Sequence, residues 1–257
     1  METETGSTST IAIFGAGPGL GLSTARLFGR RGHRVALVAR NRDRLGDFRR
    51  ELAGEGIDSS VYVGDLGDPV GFDDLVSSIV TDFGPIDIAV YQTTAPAPTV
   101  ASPLDVTAET ERLFVEQVLL TPIEAVRTLL APMIGRGSGA LLVAMGASAV
   151  RPIPYLAQVG PPLAALRQHL LGVAEATAPL GVRVGVLIIG GLVLGSDIQR
   201  TSAPDAGPDF PGALDPDALA GLYDQLLAGQ RRSRAPGWPV CEPRHEVTEQ
   251  SRVLPRA

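Results

Sequence analysis

A chain of 257 residues, 44% of them hydrophobic, is long enough for one large α/β domain with a sizeable core. Its formal net charge of −6 supplies no overall basic field, which argues against nucleic acid or an anionic membrane as partner and for a small-molecule substrate. A single cysteine, Cys241, excludes an internal disulfide and a cysteine-based metal cluster, and no metal site is expected.

In chain order, the opening METETGSTST is polar and acidic. Residues 1–10 therefore read as a disordered tail rather than a signal peptide, and a cytoplasmic location is expected. No segment reaches the roughly 18 uninterrupted apolar residues of a membrane helix. Short apolar runs then alternate with helical patterns: IAIF (11–14), RVALVA (34–39), SVYV (60–63), IDIAVY (86–91), ALLVAM (140–145) and VRVGVLII (182–189). Helices are expected near 20–31, 42–55, 69–83, 108–134, 162–179 and 215–232, with Pro122 kinking the long one. Strands alternating with helices predict a single α/β domain over 11–257, a doubly wound parallel sheet with helices on both faces. WPVC (238–241) would add a seventh, edge strand. The Gly-, Pro- and Asp-rich stretch 195–213 reads as a long mobile loop, either a lid over the substrate or a plain surface connection.

The first strand runs into GAGPGLGLSTARLF. Gly15, Gly19 and Gly21 have the G-x-x-x-G-x-G spacing that lets backbone amides and a helix N-terminus approach a pyrophosphate. Gly17 and Leu20 lie within the same loop. Opening the first βα unit, this pattern points to a dinucleotide. Where a ribose 2′-hydroxyl is usually met by an acid, the second strand ends in Arg40, Asn41 and Arg42. Guanidinium groups pair with a 2′-phosphate, so NADP(H) is the expected cofactor, although both arginines would equally suit a solvated helix start. Asp65, followed by Leu66, is placed to accept from an adenine amino group or to cap the next helix.

These motifs, with GPIDIAV (84–90) and VRVGVLIIGG (182–191) in matching order, resemble the short-chain dehydrogenase/reductase family over nearly the whole chain. The resemblance implies a seven-stranded Rossmann sheet, NAD(P)(H), hydride transfer between carbonyl and alcohol, and a homodimer or homotetramer. It also implies that Thr93, after the fourth strand, and Ile189 and Gly190, at the end of the sixth, complete the cofactor site. The family's N-N-A-G falls on Tyr91, Gln92, Thr93 and Thr94, and its catalytic Asn near Gln117. Its catalytic Ser falls near Gly146, with Ser148 two residues on; its Tyr and Lys fall on Val159 and Leu163. The chain contains no lysine at all, all of its basic residues being arginine, and Asn41 is its only asparagine.

The catalytic candidates are therefore Tyr155, Ser148 and Gln117. Tyr155 sits in a Pro-rich loop four residues before the expected tyrosine position, and no lysine exists to lower its pKa from about 10. His169 lies off the face carrying 159, 163 and 166. Pro161–Pro162 fit only a helix's first turn, which would begin the helix at 161–162 and leave Val159 ahead of it. Two classes of function remain open. One is an oxidoreductase passing hydride to an activated acceptor, an imine or enone, without the usual relay. The other is a redox-inactive protein of the same fold, a cyclase or lyase or a nucleotide-sensing binding protein.

Overall fold

The computed structural model describes residues 8–92, 101–228 and 240–241. Six parallel strands form the sheet: β1 (Thr10–Phe14), β2 (Arg34–Ala39), β3 (Ser59–Val63), β4 (Ile86–Gln92), β5 (Gly139–Gly146) and β6 (Val182–Ile189), in the order β3-β2-β1-β4-β5-β6. The expected seventh strand is corrected to a two-residue ladder. Val240 and Cys241 pair with Ile188 and Ile189 on the outer edge of β6, and Trp238 and Pro239 lie outside the described residues.

Burial on both faces explains the continuous apolar runs. Ile11, Ile13, Val35, Leu37 and Val90 point to one core, which α1 (Leu20–Gly29), α2 (Arg42–Gly54) and α8 (Pro216–Leu227) close with Phe28, Leu52 and Tyr223. Ala12, Phe14, Val38, Tyr91 and Val143 point to the other. There α3 (Pro69–Phe83), α5 (Thr121–Arg136) and α6 (Gly160–Thr177) contribute Ile79, Leu129 and Leu166. Alternate residues of each strand thus serve opposite cores, the signature of a doubly wound sheet.

Helix starts follow their capping residues. Asn41, Asp68 and Asp215 cap α2, α3 and α8, and Pro occupies the first turn of α3 and α8. The long helix is α4 (Ala108–Val115), a π-turn over Glu116–Leu120, then α5. Pro122 is the reason for the interruption: the Thr121 N–H reaches back five residues to the Glu116 carbonyl, and Pro122, which has no N–H, then sits in the first turn of α5. The run Ala108–Arg136 is, among the described residues, the one helix long and apolar enough to cross a membrane; Phe114, Val118, Leu129 and Met133 on it pack into the core.

The stretch after β6 has structure of its own. β7 (Leu192–Val193) pairs with β8 (Ala213–Leu214), and α7 (Asp197–Ser202) lies between them. Gln199, 7% exposed, organises the turn: its Oε1 accepts from the Gly195 N–H at 3.2 Å, and its Nε2 donates to the Ala203 carbonyl at 2.9 Å.

Candidate active site

The strand order reverses between β1 and β4, and ligands of open α/β sheets bind at the carboxyl ends of the strands at such a crevice. The glycine-rich loop lies there. Gly15 has φ +91°, which only glycine adopts without strain. Its amide and that of Ala16 donate to the Val38 carbonyl at 3.0 and 2.9 Å, tying the loop to β2. A Cβ on Gly21 would stand 2.9 Å from Ala16 Cα, whereas one on Gly17 would meet nothing nearer than the Gly15 carbonyl at 3.9 Å. Gly21 is needed for the loop to fold on itself, and Gly17 leaves an open face. Gly19 serves a chain approach: a Cβ there would lie 3.2 Å from Val193 Cγ1 and 3.3 Å from the Leu194 carbonyl. The segment after β6 therefore closes directly over the loop.

Helix α1 begins at Leu20, with Gly19 as an N-cap that has no side chain to bond, and with no acid in the first turn. Among the described residues the Gly19 and Leu20 amides donate to no acceptor, which leaves donors and the positive end of the helix facing the crevice. Leu66 Cδ1 lies 3.6 Å from where a Gly15 Cβ would stand.

Gln92, which sequence reasoning treated only as a lost signature residue, braces the loop. With its amide set to match donors and acceptors, its nitrogen donates to the Gly15 carbonyl at 3.1 Å and its oxygen accepts from the Gly21 N–H at 3.3 Å. One side chain at the end of β4 thereby ties the first and third glycines of the motif. Its neighbour Tyr91 is core, 2% exposed; burial, with the Asp65 charge adding to it, pushes its hydroxyl well above the ordinary value. Thr93 lies outside the described residues.

Arg40 and Arg42 are exposed at the end of β2 and form no ion pair among the described residues. Asn41 spends its side-chain oxygen on the Arg44 N–H at 3.0 Å, as the cap of α2. Arg44 itself pairs with Asp197 at 2.5 Å, joining α2 to α7. Asp65 does not cap α3, because Asp68 does so through the Val70 N–H; Asp65 accepts instead from the Gly67 N–H at 2.9 Å. The open Gly19 and Leu20 amides, and two guanidinium groups unpaired among the described residues, fit a dinucleotide with a 2′-phosphate.

At the end of β5, Gly146 pairs with Ile189 of β6, and Gly190 follows directly. Ser148 is 7% exposed in the short turn Ala147–Ala149. Tyr155 is 50% exposed in the loop beyond. Gln117 is half-buried within the π-turn. His169 is exposed on α6.

Val159 corrects the expected start of α6. The prolines do occupy the first turn, but the helix begins at Gly160, and Val159 already has helical φ −86° and ψ −34°. It is 9% exposed and Leu163 is 4% exposed, both in the same core cluster as Leu166 and Leu170. Gln158 was missed entirely. It is 4% exposed, and its Oε1 is enclosed without a hydrogen-bond partner among the described residues; a buried orphan of this kind shows only once the turn is folded.

The family model for short chain dehydrogenases matches residues 9–206. The chain belongs to that family. Among curated proteins, this short-chain dehydrogenase is similar to an uncharacterized oxidoreductase, YxnA, of Bacillus subtilis, with 29% identity over 53% of this chain and 38% of that one. It thus aligns with well under half of that relative's length. Among solved structures it is similar to an alcohol dehydrogenase from the archaeon Thermococcus sibiricus complexed with 5-hydroxy-NADP, at TM-score 0.77, 22% identity, 94% of this chain and 99% of that one. It is also similar to L-sorbose reductase from Gluconobacter frateurii complexed with NADPH and L-sorbose, at TM-score 0.71, 26% identity, 86% of this chain and 90% of that one.

Proposed function

We propose that this short-chain dehydrogenase is an NADP(H)-dependent oxidoreductase that reduces an acceptor already electrophilic, of imine or enone type, without a tyrosine–lysine relay. The observation that carries this reading is the stripe of Val159, just ahead of α6, with Leu163 and Leu166 on it, buried and apolar, in a chain with no lysine. No group on that stripe holds or moves a proton.

Cofactor preference is supported by Arg40 and Arg42, unpaired among the described residues, and by the NADP and NADPH complexes among the structural neighbours. When bound, the dinucleotide would supply the hydride. The residues of this chain then bind and orient: the Gly19 and Leu20 amides meet the pyrophosphate, Arg40 the 2′-phosphate, and the apolar wall from α6 excludes water from the reacting carbon. An iminium needs no proton donor, because hydride addition neutralises a charge already present. Ser148 and Gln117 are the polar groups assigned to the substrate, and the stretch 195–213 lies over it. A cytoplasmic homo-oligomer is part of the same proposal.

The test is NADPH consumption, followed by absorbance, against a panel of ketones, cyclic imines and enones. Turnover of imines or enones with ketones inert is expected. A protein that binds NADPH and oxidises it with none of them would instead be the redox-inactive alternative.

A further inference from the structure

Gln158 occupies the turn that leads into α6. The amides of Val159 and Gly160 both donate to the Leu156 carbonyl, at 3.1 and 3.0 Å, and Leu156 is bridged to Ala101. On the other side of the turn, Gly160 lets the start of α6 rest against Ser148. A Cβ on Gly160 would lie 3.5 Å from the Ser148 carbonyl oxygen and 3.8 Å from its Cβ. Gln158 therefore sits beside the end of β5, at the edge of the sheet where open α/β folds take their ligands. Its Oε1 is enclosed, with no hydrogen-bond partner among the described residues. Buried amide oxygens are normally paired, and an acceptor left without a partner at a ligand-binding edge calls for a donor on the ligand.

We propose that Gln158 determines substrate specificity by accepting a hydrogen bond from the N–H of a protonated imine. This rests on the activated-acceptor reading above and narrows it to one class. Hydride adds to the iminium carbon, and the C=N π pair becomes the nitrogen lone pair. The nicotinamide is oxidised and the imine reduced to an amine, with no proton consumed. The N–H persists through the reaction, so its bond to Gln158 is kept. An enone has no such donor and leaves the orphan oxygen unpaired, which is the situation in which a hydrogen-bonding site discriminates strongly.

The experiment uses methylpyrroline as the imine, cyclohexenone as the enone and methylpyrrolidine as the amine. The amine is titrated calorimetrically without turnover, and NADPH binding is measured separately. In Gln158→Leu the Kd for methylpyrrolidine and the KM for methylpyrroline should rise by about ten- to a hundredfold, as expected for losing a charged hydrogen bond. NADPH affinity should be unchanged. Gln158→Glu, which keeps the acceptor and its shape, should bind the amine at least as tightly as the parent, and it carries the test should the leucine variant misfold. An unchanged amine Kd in folded Gln158→Leu, looser binding by Gln158→Glu, or no amine binding by the parent overturns the inference. Amine binding through Gln158 in a protein that reduces no acceptor would sink the proposed oxidoreductase function and leave this assignment standing.

Discussion

The Val159 carbonyl accepts the Leu163 N–H at 3.2 Å, so the two positions that the family resemblance matches to a tyrosine and a lysine stand one helical turn apart on the same buried face. On the proposed reading, this is the spacing of a relay filled by valine and leucine. Val159→Tyr with Leu163→Lys would place both side chains on one stripe, but the ammonium would enter an apolar cluster with no carboxylate beside it, which lowers stability or drives the lysine neutral. Gly146 contributes no hydroxyl. We expect the double variant to melt below the parent and to show no NADPH-dependent ketone reduction. Robust ketone turnover would mean that Ser148 supplies the missing hydroxyl.

Arg40 is exposed at the end of β2 and forms no ion pair among the described residues. NADP(H) should therefore bind more tightly than NAD(H), and Arg40→Ala should weaken NADP(H) by about ten- to a hundredfold while leaving NAD(H) nearly unchanged. Fluorescence titration of both cofactors checks this, and equal affinities in the parent would contradict it.

Gln92 positions the glycine loop through Gly15 and Gly21. Removing both bonds in Gln92→Ala should raise the KM for NADPH by about tenfold and leave kcat on a saturating acceptor unchanged. Gln92→Glu keeps the acceptor for the Gly21 N–H but cannot donate to Gly15, and should fall between the two. A fall in kcat with an unchanged KM would show that Gln92 acts elsewhere.

Tyr155, half in solvent, should not be the proton donor. Tyr155→Phe is expected to leave turnover within about threefold, or roughly 0.7 kcal/mol of transition-state stabilisation. A loss of a hundredfold or more would assign the acid to this loop.

Both carboxylate oxygens of Glu111, on α4, are enclosed without a partner among the described residues, and burial pushes its pKa above the ordinary 4.5. The folded state then holds its proton to higher pH than the unfolded state. The stability it contributes is complete below 4.5 and is lost as pH rises through the raised folded value. Glu111→Gln should be the more stable protein at neutral pH, with the difference vanishing in acid. Thermal melts across that range test it, and an equal pH dependence in both proteins would rule it out.

Much of this protein is legible in its sequence because the responsible forces are local. The six apolar runs and the helices between them follow from periodicity and backbone preference over a few residues. The G-x-x-x-G-x-G loop and the absence of any lysine are likewise properties of the chain as written. What only the tertiary structure decided are meetings between distant segments. Gln92 reaches Gly15 and Gly21 because β1 and β4 are neighbours in the sheet, an adjacency that no local pattern encodes. Asp65 and Asp68 are equivalent candidates by type, and the path of the turn gives the cap to Asp68. Val159 looked excluded by two prolines, yet the Leu156 carbonyl, by accepting from both Val159 and Gly160, carries helical geometry back past them. Gln158 is an ordinary polar loop residue until packing against Ser148 and Ala101 encloses that turn. A buried polar group takes its meaning from what surrounds it in space, and that is set by packing across the whole domain rather than by its neighbours in the chain.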